Sequence, residues 1–139
     1  MLKVLAKAVG PNGMVGGQAM EFSRLATPIN FSTINLLKTG SLFRASLELA
    51  GIAGNVSSEA LTSLGRLGNV IGLTYQLQDD ICDNQIECPD LKEEKATSQR
   101  HLLACFEDVS ILLPILSKQF LLHLFHRLFP EPSIEKVYR

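Results

Sequence analysis

The chain predicts an all-α fold, and three observations carry that expectation. No stretch sustains the apolar–polar alternation of a β-strand. Apolar residues instead recur at helical spacing in two long segments, Thr33–Ala53 and Glu59–Asp83. Within the second, Gly65, Gly68 and Gly72 fall three and four residues apart, so they line one face and leave a groove where another helix can lie close. With 139 residues, 46% of them apolar and 19% charged, one domain spanning 1–139 with a packed core is expected.

Leu2–Val9 reads as the end of a helix that began upstream, because no N-cap precedes it. That is the first sign that the chain is a piece of something longer. Pro11-Asn12-Gly13 is a turn signal. Met14–Phe22 carries adjacent Gly16 and Gly17, each costing a helix about 1 kcal/mol against alanine. They make sense where another helix or a ligand must approach the backbone. Gln18 and Glu21 are a turn apart and share a face. Ser23–Phe31 reads as a loop, with Ser32 or Thr33 capping the next helix. In Thr33–Ala53 the stripe is Leu36, Leu37, Phe43, Leu47 and Ala50, interrupted by Lys38-Thr39-Gly40. Gly51–Val56 is a turn, and Ser57 or Ser58 can cap the long helix that follows.

Glu59–Asp83 carries Leu61, Leu64, Leu67, Val70 or Ile71, and Tyr75 on its apolar side. Asn84–Asp90 reads as a loop containing Pro89, and Leu91–Gln99 as a short charged stretch. His101–Ser110 and Ile115–Phe129 predict two further helices parted at Pro114, the second apolar around much of its circumference. Pro130–Arg139 is a polar tail.

Composition removes several function classes. A net charge of −1, no tryptophan and two tyrosines give no case for nucleic acid. Three cysteines without paired spacing argue against a disulfide framework and fit a reducing, cytoplasmic setting. No run of about 20 uninterrupted apolar residues offers a transmembrane segment. His123 and His126 have a metal-compatible spacing but no third ligand in view, so they read as surface histidines.

The chemistry concentrates in Gly72–Asp83. Helical rotation carries one face through Gly72, Gln76, Asp79 and Asp83, with Asp80 beside the last two. Three carboxylates within about a turn repel one another unless a cation joins them or water screens them. Mg²⁺ suits such oxygen donors and bridges carboxylates to phosphates; the plainer alternative is a solvated acidic helix end. Lys38 with Thr39 offers a point charge and a directional hydroxyl donor, a plausible phosphate grip. Its plainer alternative is an exposed lysine beside a kink.

These stretches, in this order, resemble the C-terminal half of the trans-isoprenyl (polyprenyl) diphosphate synthases. Gly16-Gly17-Gln18 with Glu21 is similar to that family's Gly-Gly-Gln segment, which more often has Asp near the Glu21 position. Lys38-Thr39-Gly40 is similar to its Lys-Thr-Gly motif, Tyr75–Asp83 to its second aspartate-rich motif, and Lys95-Ala96-Thr97 to the Lys-x-Thr that follows. The motifs lie within 11–98, leaving 99–139 as C-terminal helices and tail.

The resemblance implies antiparallel helices around a deep cavity, and Mg²⁺-dependent condensation of an allylic diphosphate with isopentenyl diphosphate. It assigns Asp79, Asp80 and Asp83 to the metal. It assigns Lys38, Thr39, Gln76 and Lys95 to the diphosphate, the first three with a catalytic part. It also implies a homodimer, or pairing with a full-length synthase. The family's first aspartate-rich motif and its upstream basic residues are absent, and the segment Asn84–Glu94 is shorter than usual. The isolated chain is therefore expected to be inactive, whether as part of a synthase, as a non-catalytic subunit docking on one, or as a truncated remnant.

Overall fold

A computed structural model describes residues 1–23, 31–84, 89–113 and 115–128. The elements are α1 (Leu2–Val9), α2 (Met14–Ser23), α3 (Phe31–Asn35), a π turn (Leu36–Gly40), α4 (Ser41–Ala53), α5 (Ser58–Asn84), α6 (Pro89–Leu112) and α7 (Ile115–Leu128). Among the described residues there is no strand. None of the described helices is long and apolar enough to cross a membrane.

The centre of the fold is α5, 27 residues and roughly 40 Å long. One side of it meets α4 through the predicted glycine groove. A Cβ at Gly65 would fall 2.7 Å from Glu48 Oε1, at Gly68 2.5 Å from Arg44 Cα, and at Gly72 2.6 Å from Gly40 Cα. The contacts run up α5 and down α4, so the pair is antiparallel and backbone touches backbone. The turn between them is closed by Asn55 at φ 50°, a left-handed conformation that asparagine tolerates. The Ala60 amide then donates to Ser57 Oγ at 3.2 Å, as an N-cap requires.

The other side of α5 builds the core. Leu64, Leu67 and Ile71 pack with Leu102, Phe106 and Val109 of α6 and Leu121 of α7. A hydroxyl pair also ties α5 to α6. Thr74, fully buried, has its Oγ1 2.7 Å from Ser98 Oγ and donates to the Val70 carbonyl at 2.8 Å. Thr74→Val strands the Ser98 hydroxyl in a half-buried position, and the expected loss is about 1 kcal/mol. In urea unfolding the double variant Thr74→Val/Ser98→Ala should recover most of it, since removing both partners leaves nothing unsatisfied.

Several boundaries differ from the sequence reading. The segment read as a charged stretch and a shorter helix is one helix, α6, which begins at Pro89. Proline is favoured at the first helical position, where its missing N–H is no loss. So Pro89 opens a helix where it was read as part of a loop. The helix α4 ends at Ala53 as read, so the turn is shorter than Gly51–Val56. The long stretch Thr33–Ala53 is helical throughout but begins at Phe31, and its middle is a π turn. In α7, Leu121 joins the core while Phe120 remains 67% exposed, so its apolar surface is only partly covered. Of the expected loop Ser23–Phe31, Ser23 closes α2 and Phe31 opens α3, while residues 24–30, like the tail Pro130–Arg139, lie outside the described residues.

Candidate functional site

The site is built where α2 and α5 meet the π turn. Gly40 sits against Gly72, a contact that holds the wide turn to α5. The Ser41 amide donates to the Leu36 carbonyl, five residues back, so this turn holds one residue more than an α turn. Such turns recur at functional sites in helices. Here the extra residue falls on the Lys-Thr-Gly motif. On the opposite flank, a Cβ at Gly17 would lie 2.5 Å from the Lys38 nitrogen. The close approach expected of the Gly16-Gly17 pair is thus made at Gly17, against the backbone of the motif itself.

Lys38 Nζ lies 2.8 Å from Glu21 Oε2, and Gln18 Nε2 donates to the same oxygen at 3.1 Å. The expected Gln18–Glu21 face therefore exists, and its second role is to hold the lysine. Both partners of the ion pair keep about a third of their side-chain surface exposed. Such a pair contributes no more than about 1 kcal/mol, so an incoming polyanion can compete for the lysine. One residue on, Thr39 Oγ1 donates to Gln76 Oε1 at 3.0 Å. The π turn thus sends consecutive side chains to different neighbours, Lys38 to α2 and Thr39 to α5.

Asp79 follows Gln76 by three residues on α5, and its side chain is exposed. It makes no ion pair among the described residues. Asp80 and Asp83 belong to the same helix end, but their side chains lie outside the described residues, as does that of Lys95 on α6. No cluster of three or more metal-binding side chains occurs among the described residues. An exposed carboxylate with no ion pair to any described residue fits one position in the open, partly hydrated shell that Mg²⁺ prefers. Of the predicted residues, Thr39 and Gln76 are in contact, Lys38 adjoins Thr39 on the π turn but turns to Glu21, and Asp79 lies a turn further along α5.

Glu21 as the lysine's counter-ion was not legible in the sequence: it lies 17 residues from Lys38, and no local spacing signals the contact. Cys105 takes no part in the site. Burial raises its thiol pKa, Asp108 adds to the rise and Arg66 opposes it, so it stays a protonated, poorly nucleophilic thiol near neutral pH.

Known proteins are similar to this chain in sequence and fold. A farnesyl diphosphate synthase of Buchnera aphidicola is 35% identical over 125 residues, covering 86% of this chain and 42% of its own. The small subunit of a heterodimeric geranylgeranyl pyrophosphate synthase of Arabidopsis thaliana is 30% identical over 95 residues, 68% of this chain and 28% of that one. The geranyltransferase of Helicobacter pylori superposes with a TM-score of 0.80 at 26% identity, covering 92% of this chain and 50% of its own. A structure of that enzyme with magnesium and isoprenyl diphosphate superposes at 0.74 with 24% identity. The fold is that of the isoprenoid synthases. This chain spans about half the length of these relatives or less. Residues 1–102 match the model of the polyprenyl synthetases, a span that takes in the π turn, its two flanking helices and the aspartate-bearing end of α5, and the chain belongs to that family.

Proposed function

We propose that this chain supplies one wall of a prenyltransferase active site, in which an allylic diphosphate condenses with isopentenyl diphosphate. The observation that carries the reading is the pairing of consecutive side chains, Lys38 and Thr39, with Glu21 and Gln76 at the face that leads to Asp79. Ionisation of an allylic diphosphate leaves negative charge on the departing oxygens. Lys38 supplies a cation to that group, and Lys95 a second. The Thr39 hydroxyl donates to a phosphate oxygen once it turns from Gln76, and the Gln76 amide orients it. Asp79, Asp80 and Asp83 would hold Mg²⁺, which neutralises diphosphate charge when bound. That reading draws support from the Helicobacter pylori geranyltransferase, whose fold this chain shares and which has been crystallised with magnesium.

One carboxylate-bearing helix gives only part of a metal shell, so these 139 residues by themselves are inactive and act only where the opposing carboxylates are supplied, by further sequence of the same protein or by a partner. Exposed apolar side chains on α1 and α2, among them Leu2, Leu5, Val15 and Phe22, favour such a partner, because large apolar surface calls for cover. The test mixes the chain with a polypeptide bearing the amino-terminal half of a related synthase, in the presence of Mg²⁺, an allylic diphosphate and labelled isopentenyl diphosphate. Label enters a prenyl product in the mixture and not with either half alone. No product, together with no binding of Mg²⁺-pyrophosphate to the mixture, removes the reading.

A second reading keeps the surface and drops the catalysis: a non-catalytic subunit that docks on a full-length synthase. The likeness to the Arabidopsis small subunit favours it. Co-purification with a complete synthase, with the synthase's product length altered and its activity unaffected by loss of Lys38, would select this reading over the first.

A further inference from the structure

A cleft of about 390 Å³ opens between α1 and α4, floored in part by the π turn. Neither Lys38, Thr39, Gln76 nor Asp79 lines it, so it is separate from the diphosphate face. Among the described residues three cations border it, Lys3, Lys7 and Arg44, against a single carboxylate, Glu48. Lys3 and Lys7 are a turn apart on α1, a spacing at which like charges oppose helix formation. Neither has an ion-pair partner among the described residues. Arg44 bonds Glu48 Oε1 through Nε at 2.7 Å, and its terminal nitrogens have no partner among the described residues. The arrangement leaves positive charge uncompensated at the mouth.

The floor is of another character. Val4, Leu37 and Ala45 give it apolar surface, and Ala45 is only 2% exposed. Meanwhile α1 leaves Leu2 85% exposed on its other side, so its lysines border the cleft while a leucine faces water. A cavity of a few hundred Å³ with an apolar floor and a few convergent polar groups has the form of a small-molecule site. A guanidinium whose terminal donors meet no described residue, together with two ammonium groups, matches the oxygens of a phosphoryl or carboxylate group.

We propose that this cleft binds a small amphipathic anion, its phosphoryl or carboxylate head on Lys3, Lys7 and Arg44 and a short hydrocarbon body over Val4, Leu37 and Ala45. The test titrates hexyl phosphate, and separately hexanoate, into the full chain while following side-chain methyl NMR signals. Saturable shifts at Val4, Leu37 and Ala45 are expected with at least one of the two, and the stronger binder identifies the head group. Lys3→Glu/Lys7→Glu weakens that binding by about tenfold or more, while Lys3→Arg/Lys7→Arg, which keeps the charge, retains it. Lys38→Ala also retains it, which separates this site from the diphosphate face and from the proposed function. Absence of shifts with both probes, equal binding of neutral hexanol, or unchanged affinity after charge reversal overturns the proposal.

Discussion

Gly68→Val will lower the stability of the chain by about 3 kcal/mol. A Cβ at that position lies 2.5 Å from Arg44 Cα, 2.7 Å from Arg44 N and 2.8 Å from Phe43 O. All three are backbone atoms, so no rotamer change relieves the overlap, and α4 must move away from α5. Replacing glycine within a helix returns a few tenths of a kcal/mol through propensity, far less than the overlap costs. Domains of this size have only about 5–15 kcal/mol of stability, so the loss is a large share. Denaturant unfolding checks it against Gly54→Ala at the exposed end of α4, where a Cβ meets nothing closer than 3.4 Å. Equal stability of the two variants would mean that α4 and α5 do not touch through their backbones. The same reasoning extends to Gly72, whose neighbour Gly40 belongs to the π turn. An alanine there should disturb the Thr39–Gln76 hydrogen bond before it unfolds anything.

The second large effect is chemical. In the enzyme reconstituted with its complementary half, Lys38→Ala will lower kcat/KM by roughly 100- to 1000-fold, the range found when a donor to a developing oxyanion is removed. Lys38→Arg keeps the charge and should recover part of the rate. Glu21→Gln is the informative contrast. The Glu21–Lys38 pair is a third exposed, so losing the carboxylate changes the rate modestly and frees the lysine for diphosphate. Steady-state rates with both substrates varied distinguish the cases. A Lys38→Ala variant within a few-fold of the parent would place the charge stabilisation on other groups.

How much of this was legible beforehand depends on whether the signal is local. The spacing of Gly65, Gly68 and Gly72 reported a groove for another helix, because a helix face is defined by three- and four-residue steps, but not that α4 fills it. The long helix through Asp79 was legible for the same reason. The shared face of Gln18 and Glu21 also followed from spacing, though not the hydrogen bond between them. The π turn did not: Leu-Leu-Lys-Thr-Gly has no local signature separating it from an α-helical turn, and its geometry accompanies contacts with α2 and α5. The Glu21–Lys38 pair was invisible because it joins two helices. The α6 boundary was misplaced because proline marks both loops and helix starts. The cleft between α1 and α4 needed the fold before its lysines had a common destination.

The extra residue between Leu36 and Gly40 has a consequence for how the helix can vary. A one-residue surplus puts the segment before it and the segment after it out of phase by roughly 100°. The amino-terminal portion can therefore be tuned against α2 while the carboxyl-terminal portion keeps its glycine seam with α5. Deleting a single residue there would leave a regular helix that reads as more orderly, yet would turn the ammonium and the hydroxyl away from Glu21 and Gln76, the partners they now meet. The irregularity works as a gear offset, letting one rod address two neighbours set at different angles.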